Sequence, residues 1–92
     1  MTRVTIPSQL QSYCAGASDV EASGGTVDLV LRDLDSRFPG IKFRIVDEQD
    51  RIRRHLRIFV GKEPAHDVAS PVRDGEEVLI FGALSGGSIG PT

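Results

Sequence analysis

The sequence predicts an α+β domain in which a mixed sheet curls over one main helix. An amphipathic pattern over residues 27–38 indicates the helix. Alternating, β-branched segments before and after it indicate strands. The length of 92 residues allows one hydrophobic core and leaves little room for a second.

The N-terminal part is predicted to form a β-hairpin. Residues 3–6 alternate between polar and β-branched side chains and end at Pro7. Asp19–Ala22 alternates between charged and apolar side chains, as a short half-buried strand does. Residues 9–16 carry weak signals and are assigned as a connector between the two strands.

The helix is the clearest element of the chain. A turn at Ser23, Gly24 and Gly25 precedes Thr26, which is a good N-cap residue. Pro39 and Gly40 end the pattern abruptly. The apolar side chains recur at helical spacing, and they are Val27, Val30, Leu31, Leu34 and Phe38.

The second half of the chain adds further strands. Residues 42–46 could form an extended segment or a short helical turn, and residues 47–50 resemble a solvated loop. Residues 55–60 alternate again, and residues 76–81 form a very apolar last strand after a turn at residues 72–75. The predicted order is β-β-α-β-β, with one optional strand before the last.

Composition argues against several classes of function. The net charge of −2 gives no basic field for nucleic acid or an anionic membrane. Cys14 is the only cysteine, so neither a disulfide framework nor a multi-cysteine metal site is expected. The first residues do not resemble a signal peptide, and no apolar stretch is long enough to span a bilayer. We therefore expect a cytoplasmic protein.

A second glycine pair, Gly86-Gly87, follows the last predicted strand closely. The pair alone carries little information, because Gly24-Gly25 is another one. Its position just past the sheet is informative, since two glycines make the chain thin and conformationally free there. We therefore divide the chain into a folded domain with its exit arm, residues 1–85, and a tail, residues 86–92.

Four segments together resemble the β-grasp sulfur carriers of the MoaD and ThiS group, which are ubiquitin-like proteins. The resemblance covers most of the chain. Within that group, the span 43–54 and the Gly-Gly-Thr helix entry look most like the carriers of cysteine biosynthesis. The matching segments are ASGGTV at 22–27, LRIFVG at 56–61, DGEEVLIF at 74–81 and ALSGG at 83–87.

The resemblance implies a carrier and not an enzyme. Its working group would be the carboxylate of Gly87, which is adenylated and then converted to a thiocarboxylate. An E1-like adenylating enzyme would use ATP for this step, so the chain itself would bind no cofactor. The acceptor would be a cysteine-synthase-like enzyme, or else molybdopterin or thiamin assembly. The flexible arm would consist of Leu84, Ser85, Gly86 and Gly87.

Residues 88–92 depart from the usual pattern of these carriers, which end at the second glycine. The resemblance implies a precursor that a JAMM-type metalloprotease cuts between Gly87 and Ser88. Alternatively, the extra residues are a cloning remnant or mark an inactive relative. Gly82 and Ala83 also differ from the prolines of many carriers, which predicts a looser arm.

The last strand is apolar on both faces, which suggests a docking surface. Leu79 and Phe81 point to the side opposite Val78 and Ile80. The resemblance places a docking aromatic at Phe81, and Phe59 could extend the same patch. The alternative is that all four residues of the strand belong to the core.

Other candidate features favour ordinary structural roles. The arginines at 51, 53, 54 and 57 could bind an acidic partner or phosphate, but a solvated loop is preferred because acidic residues are close in sequence. Cys14 is expected to be a small apolar residue. His55 and His66 lack metal-ligand spacing. A ubiquitin-like modifier conjugated through Gly87, or a plain interaction module, remains an alternative function.

Overall fold

The computed structural model describes residues 1–82 of the chain. It begins with strand β1, Thr2–Thr5, and strand β2, Asp19–Ala22, which pair antiparallel as the predicted hairpin. Between them, Ser8–Cys14 forms a 3₁₀ helix where the sequence indicated only a connector. Leu10 and Cys14 of this short helix are buried, so tertiary packing stabilises a segment with weak local signals.

Helix α1 spans Val27–Arg37 and confirms the predicted element. The hydroxyl oxygen of Thr26 accepts a hydrogen bond from the backbone N–H of Leu29 at 3.2 Å, which caps the first turn. The apolar stripe of the helix is buried, with Val30 and Leu34 fully enclosed. Burial of this stripe against the sheet is what stabilises a helix of only three turns.

The ambiguous segment after Gly40 is helical, as helix α2, Ile41–Ile45. The carboxylate of Asp35 accepts hydrogen bonds from the backbone N–H groups of Gly40 at 3.0 Å and Lys42 at 3.2 Å, which satisfies donors at its start. Ile41 and Ile45 are buried. The helix ends at Ile45, Val46 is its extended C-cap, and residues 47–50 form the predicted loop.

The remaining strands are β3, Leu56–Val60, β4, Glu63–Ala65, and β5, Val78–Gly82. The sheet order is β2-β1-β5-β3-β4. Strand β5 pairs parallel with β1 and antiparallel with β3, so the sheet is mixed, as predicted. Strand β5 begins two residues later and ends one residue later than the predicted strand, because the pairing with β1 and β3 starts at Val78.

One hydrophobic core lies between α1, α2 and the inner face of the sheet. The inner-face side chains come from alternate positions of the strands, which include Val4, Ile58, Val78 and Ile80. No helix of residues 1–82 covers the opposite side of the sheet, called here the outer face. The fold therefore leaves every second side chain of β1, β3 and β5 available at the surface.

Candidate functional site

Strand β5 has a buried face and an exposed face. Val78 and Ile80 are 0% and 1% exposed, whereas Leu79 is 40% exposed and Phe81 is half-buried. The expectation that the apolar residues of this strand divide between a core face and a surface face is confirmed. The alternative in which all four belong to the core is wrong.

Phe59 of β3 completes a small apolar surface with these residues. It lies opposite Leu79 in the strand pairing, and its ring centroid is 5.6 Å from that of Phe81, with the rings tilted by 38°. Such a tilted contact is a favourable aromatic arrangement. Leu79, Phe59 and Phe81 are named the outer-face patch below, and the three predicted docking residues are thus contiguous.

Two of the three residues that border the outer-face patch are polar. Thr5 lies opposite Leu79, and Arg57 lies opposite Phe81. Pro64 of the short edge strand lies opposite Phe59. An apolar centre with a polar border is the usual composition of a protein-binding surface.

Strand β5 carries the chain toward its C-terminal tail beside the start of β3. Gly82 pairs with Leu56. A Cβ atom at Gly82 would lie 3.0 Å from the side-chain nitrogen of Gln9, so the backbone passes close to the 3₁₀ helix here. The predicted arm and processing residues, Leu84, Ser85, Gly86, Gly87 and Ser88, lie outside the described residues, as does the proposed boundary at residue 85.

The arginines of residues 51–57 do not behave as one group. Arg51 forms an ion pair with Asp47 at 3.6 Å, as expected of a solvated loop. Arg57 instead shares the outer face with Phe59, because the two are separated by one residue of β3. Sequence reasoning missed Arg44, whose guanidinium lies 5.1 Å from the centre of the Tyr13 ring. No local signal connects residues so distant in the chain.

Cys14 is 1% exposed, and burial raises the pKa of its thiol even though Arg37 acts in the opposite direction. A buried thiol with a raised pKa is a poor nucleophile, which agrees with the predicted apolar role. Among residues 1–82, no three His, Cys, Asp or Glu side chains gather where they could hold a metal ion. None of the helices in this part of the chain has the length and apolar character that a bilayer crossing needs.

Comparison with curated proteins identifies relatives over nearly the whole chain. The chain is 33% identical over 89 residues to the sulfur carrier protein CysO of Mycobacterium tuberculosis, covering 91% of this chain and 96% of the relative. The same values hold for CysO of Mycobacterium bovis. These relatives are named as carriers, which agrees with the expectation that the chain is not an enzyme. No protein-family model matches the chain.

Solved structures give the same result. CysO of Mycobacterium tuberculosis has a TM-score of 0.86 at 30% identity, covering 91% of this chain and all of that one. The Amycolatopsis orientalis BexX/CysO complex has a TM-score of 0.85 at 33% identity, covering 95% of this chain and 100% of the matched one. The archaeal modifier SAMP1 of Haloferax volcanii shares the fold, with a TM-score of 0.70 at 22% identity.

The similarity extends over nearly the whole chain, and it agrees with the architecture described above, a mixed sheet packed on one main helix. The predicted ubiquitin-like β-grasp fold is confirmed. The chain belongs to the CysO family of sulfur carrier proteins.

Proposed function

We propose that this carrier delivers sulfur for cysteine biosynthesis as a thiocarboxylate at Gly87. Membership in the CysO family supports the carrier role. The direction of β5 supports the position of the reactive group, because the strand leads from the outer-face patch toward Gly86 and Gly87. A partner that binds the patch would then lie close to the segment it must receive.

The chemistry requires a free glycyl carboxylate. An oxygen of the Gly87 carboxylate attacks the α-phosphorus of ATP, and pyrophosphate leaves to give an acyl-adenylate. A hydrosulfide-type donor then attacks the acyl carbon, and AMP leaves with the bonding electron pair. Glycine suits both steps because it lacks a side chain that would obstruct entry into another enzyme's site.

Three partners follow from this chemistry. An E1-like enzyme would use ATP to form the adenylate, and a cysteine-synthase-like enzyme would accept the sulfur. A JAMM-type metalloprotease would first release residues 88–92, because Gly87 has no free carboxylate while Ser88 follows it. The structure of a CysO with BexX supports the general idea that members of this family form complexes with other proteins. We propose that these events take place in the cytoplasm.

Mass spectrometry of the untagged protein isolated from its own cell tests the proposal. We expect a species that ends at Gly87, and a second one heavier by the difference between a sulfur and an oxygen atom. A chain that always retains Ser88 would contradict the proposal. Slowly migrating adducts joined through Gly87, without any thiocarboxylate, would instead identify a protein modifier.

A variant pair separates the tail from the docking surface. Deletion of residues 87–92 should abolish thiocarboxylate formation while leaving the folded domain unchanged. Phe81→Ala should weaken activation by raising the KM for the carrier, because it removes a ring from the outer-face patch. Thr5→Ser, a mild change beside the patch, serves as the control and should leave the KM nearly unchanged.

A further inference from the structure

Four arginines gather at the end of the sheet where β5 approaches the tail. Arg53, Arg54 and Arg57 precede or begin β3 beside Gly82, and Arg44 belongs to the adjacent helix α2. These four are named the exit arginines. The other end of the same strands is rich in carboxylates, where Glu63 pairs with Val60 and Glu76 and Glu77 precede β5. Acidic side chains are therefore more frequent at that end, although Lys62 and Arg73 also lie there.

Aromatic rings and backbone carbonyls hold the exit arginines in place. Arg53 donates from Nε to the carbonyl oxygen of Phe43 at 2.9 Å, and its guanidinium lies 4.9 Å from the centre of that ring. Arg44 lies over the ring of Tyr13. Arg57 donates to the carbonyl oxygen of Arg54 at 3.1 Å. These contacts order the side chains of Arg44, Arg53 and Arg57 without neutralising them.

The exit arginines have no acidic partner of their own. None of them lies within 4.0 Å of a carboxylate oxygen in residues 1–82, and residues 83–92 contain no Asp or Glu. By contrast, other basic side chains of the same region are paired, since Lys42 contacts Asp28 and Asp50, each at 3.3 Å. Asp47 lies in the same groove as Arg53 and Arg54, and the charge of Arg53 contributes to lowering the pKa of Asp47. Because Asp47 pairs with Arg51, the four exit arginines still outnumber the carboxylates around them, and such a cationic group is suited to an external anionic partner.

A groove connects this group to the start of the tail. Its volume is about 310 Å³, and it is lined by Gln9, Leu10, Tyr13, Arg44, Arg53 and His55. Gln9 is also the side chain that the backbone of Gly82 approaches. On the other side, Arg57 lies opposite Phe81 of the outer-face patch. The cationic group therefore adjoins both the patch and Gly82, the last described residue.

We propose that the exit arginines bind an acidic protein surface around the channel through which the activating enzyme admits the tail. This inference rests on the proposed function. Gly87 is five residues beyond Gly82, and five extended residues span about 17 Å. The nucleotide at Gly87 can therefore lie well away from the exit arginines, which would contact the border of the channel and not the phosphates. The carboxylates at the opposite end disfavour nucleic acid as the partner.

Kinetics of ATP-pyrophosphate exchange test the proposal, with the carrier ending at Gly87 and the E1-like enzyme of the same cell. Arg54→Ala/Arg57→Ala should raise the KM for the carrier about tenfold at low salt and leave kcat unchanged, because border charges act mainly on association. The increase should shrink at high salt. The Arg54→Lys/Arg57→Lys variant keeps both charges, so its KM should be close to that of the wild type.

The matched control removes the same charge from the opposite end of the domain. Lys62→Ala/Arg73→Ala replaces two exposed basic residues, neither of which lies in the groove or the patch. It should change the KM less than twofold, as weak surface electrostatics predicts. Equal KM values for the two double variants would overturn the proposal. Circular dichroism melting curves should be alike for both.

If the wild-type carrier is not a substrate of that enzyme, the result counts against the proposed function and not against the role of the exit arginines. A second measurement tests the exit arginines without the enzyme. Titration of the full-length, ¹⁵N-labelled chain with a hexaglutamate peptide should shift the signals of Arg44, Arg53, Arg54 and Arg57. Shifts spread over all surface arginines would overturn the proposal. Tighter binding of a single-stranded oligonucleotide at the same residues would overturn it in favour of nucleic acid.

Discussion

The rings of Phe59 and Phe81 are in contact across the outer face, 5.6 Å apart, although the two residues are not directly opposite each other. Phe59 faces Leu79 and Phe81 faces Arg57, so the aromatic contact is diagonal. This diagonal places an apolar surface directly before the tail. Its exposure supports the docking role proposed for Phe59, Leu79 and Phe81.

The two faces of β5 should respond differently to truncation. Ile80→Ala should lower the free energy of unfolding by about 3 kcal/mol, because it leaves a cavity in the core. Phe81→Ala should lower it by only about 1 kcal/mol, since that ring is half-buried and loses mainly its contact with Phe59. Urea unfolding curves measure both values. Equal losses would show that the division between core and surface is wrong.

Gly24 should tolerate no side chain. A Cβ atom there would lie 2.6 Å from the backbone nitrogen of Val30 and 2.7 Å from the carbonyl carbon of Leu29, which cannot move without displacing α1. Gly24→Ala should therefore cost about 2–4 kcal/mol. Gly25→Ala is the control, because its Cβ would meet nothing within 4 Å. Thermal melting of both variants gives the comparison, and similar melting temperatures would contradict it.

The Asp28 carboxylate should contribute stability that depends on pH. Burial opposes its ionisation, but the hydrogen bond from Arg32 and the ion pair with Lys42 at 3.3 Å outweigh this and lower its pKa from the ordinary value of 3.8. The native state thus binds the proton less readily than the unfolded state. The contribution is therefore complete above the unfolded pKa and is lost as the pH falls through the native pKa.

Asp28→Asn should consequently cost about 1 kcal/mol at pH 7, and the difference from wild type should shrink below pH 3.8. Asp19→Asn is the control, because Asp19 is exposed on β2 and forms no ion pair within the described part of the chain. Unfolding curves at a series of pH values measure the difference. A difference that grows toward acid would reverse the predicted sign.

Cys14 should react slowly in the native protein. Its burial removes it from reagents and raises the pKa of the thiol, so the thiolate is scarce near neutral pH. We expect a disulfide reagent to modify it at least about a hundredfold more slowly in buffer than in urea. Cys14→Ala should still form the thiocarboxylate at Gly87. Loss of thiocarboxylate in a folded Cys14→Ala protein would make the thiol a participant in sulfur transfer.

The helix α1 was predictable because its signals are local. The N-cap at Thr26, the apolar stripe and the stop at Pro39 all lie within one short segment. The same holds for the docking residues of β5, whose alternation predicts two faces. By contrast, helix α2 depends on the Asp35 carboxylate and on burial of Ile41, which a local pattern does not reveal. The sequence therefore left its conformation open.

Contacts between distant segments account for the rest. Strand β4 has three residues with Pro64 in the middle, so its own propensity is low and its pairing with β3 creates it. The grouping of Arg44 with Arg53 depends on Tyr13 and Phe43, and no spacing in the sequence indicates it. For this reason the sequence assigns Arg53, Arg54 and Arg57, together with Arg51, to a solvated loop and does not single out Arg44.

The central place of β5 has a mechanical consequence. The strand is bonded to β1 on one side and to β3 on the other, so force applied along its C-terminal end loads both hydrogen-bonded ladders together. Shearing two ladders at once requires more bonds to break in concert than peeling an edge strand does. We therefore expect that an enzyme pulling on the tail needs much less force to extend the residues after Gly82 than to unfold the domain.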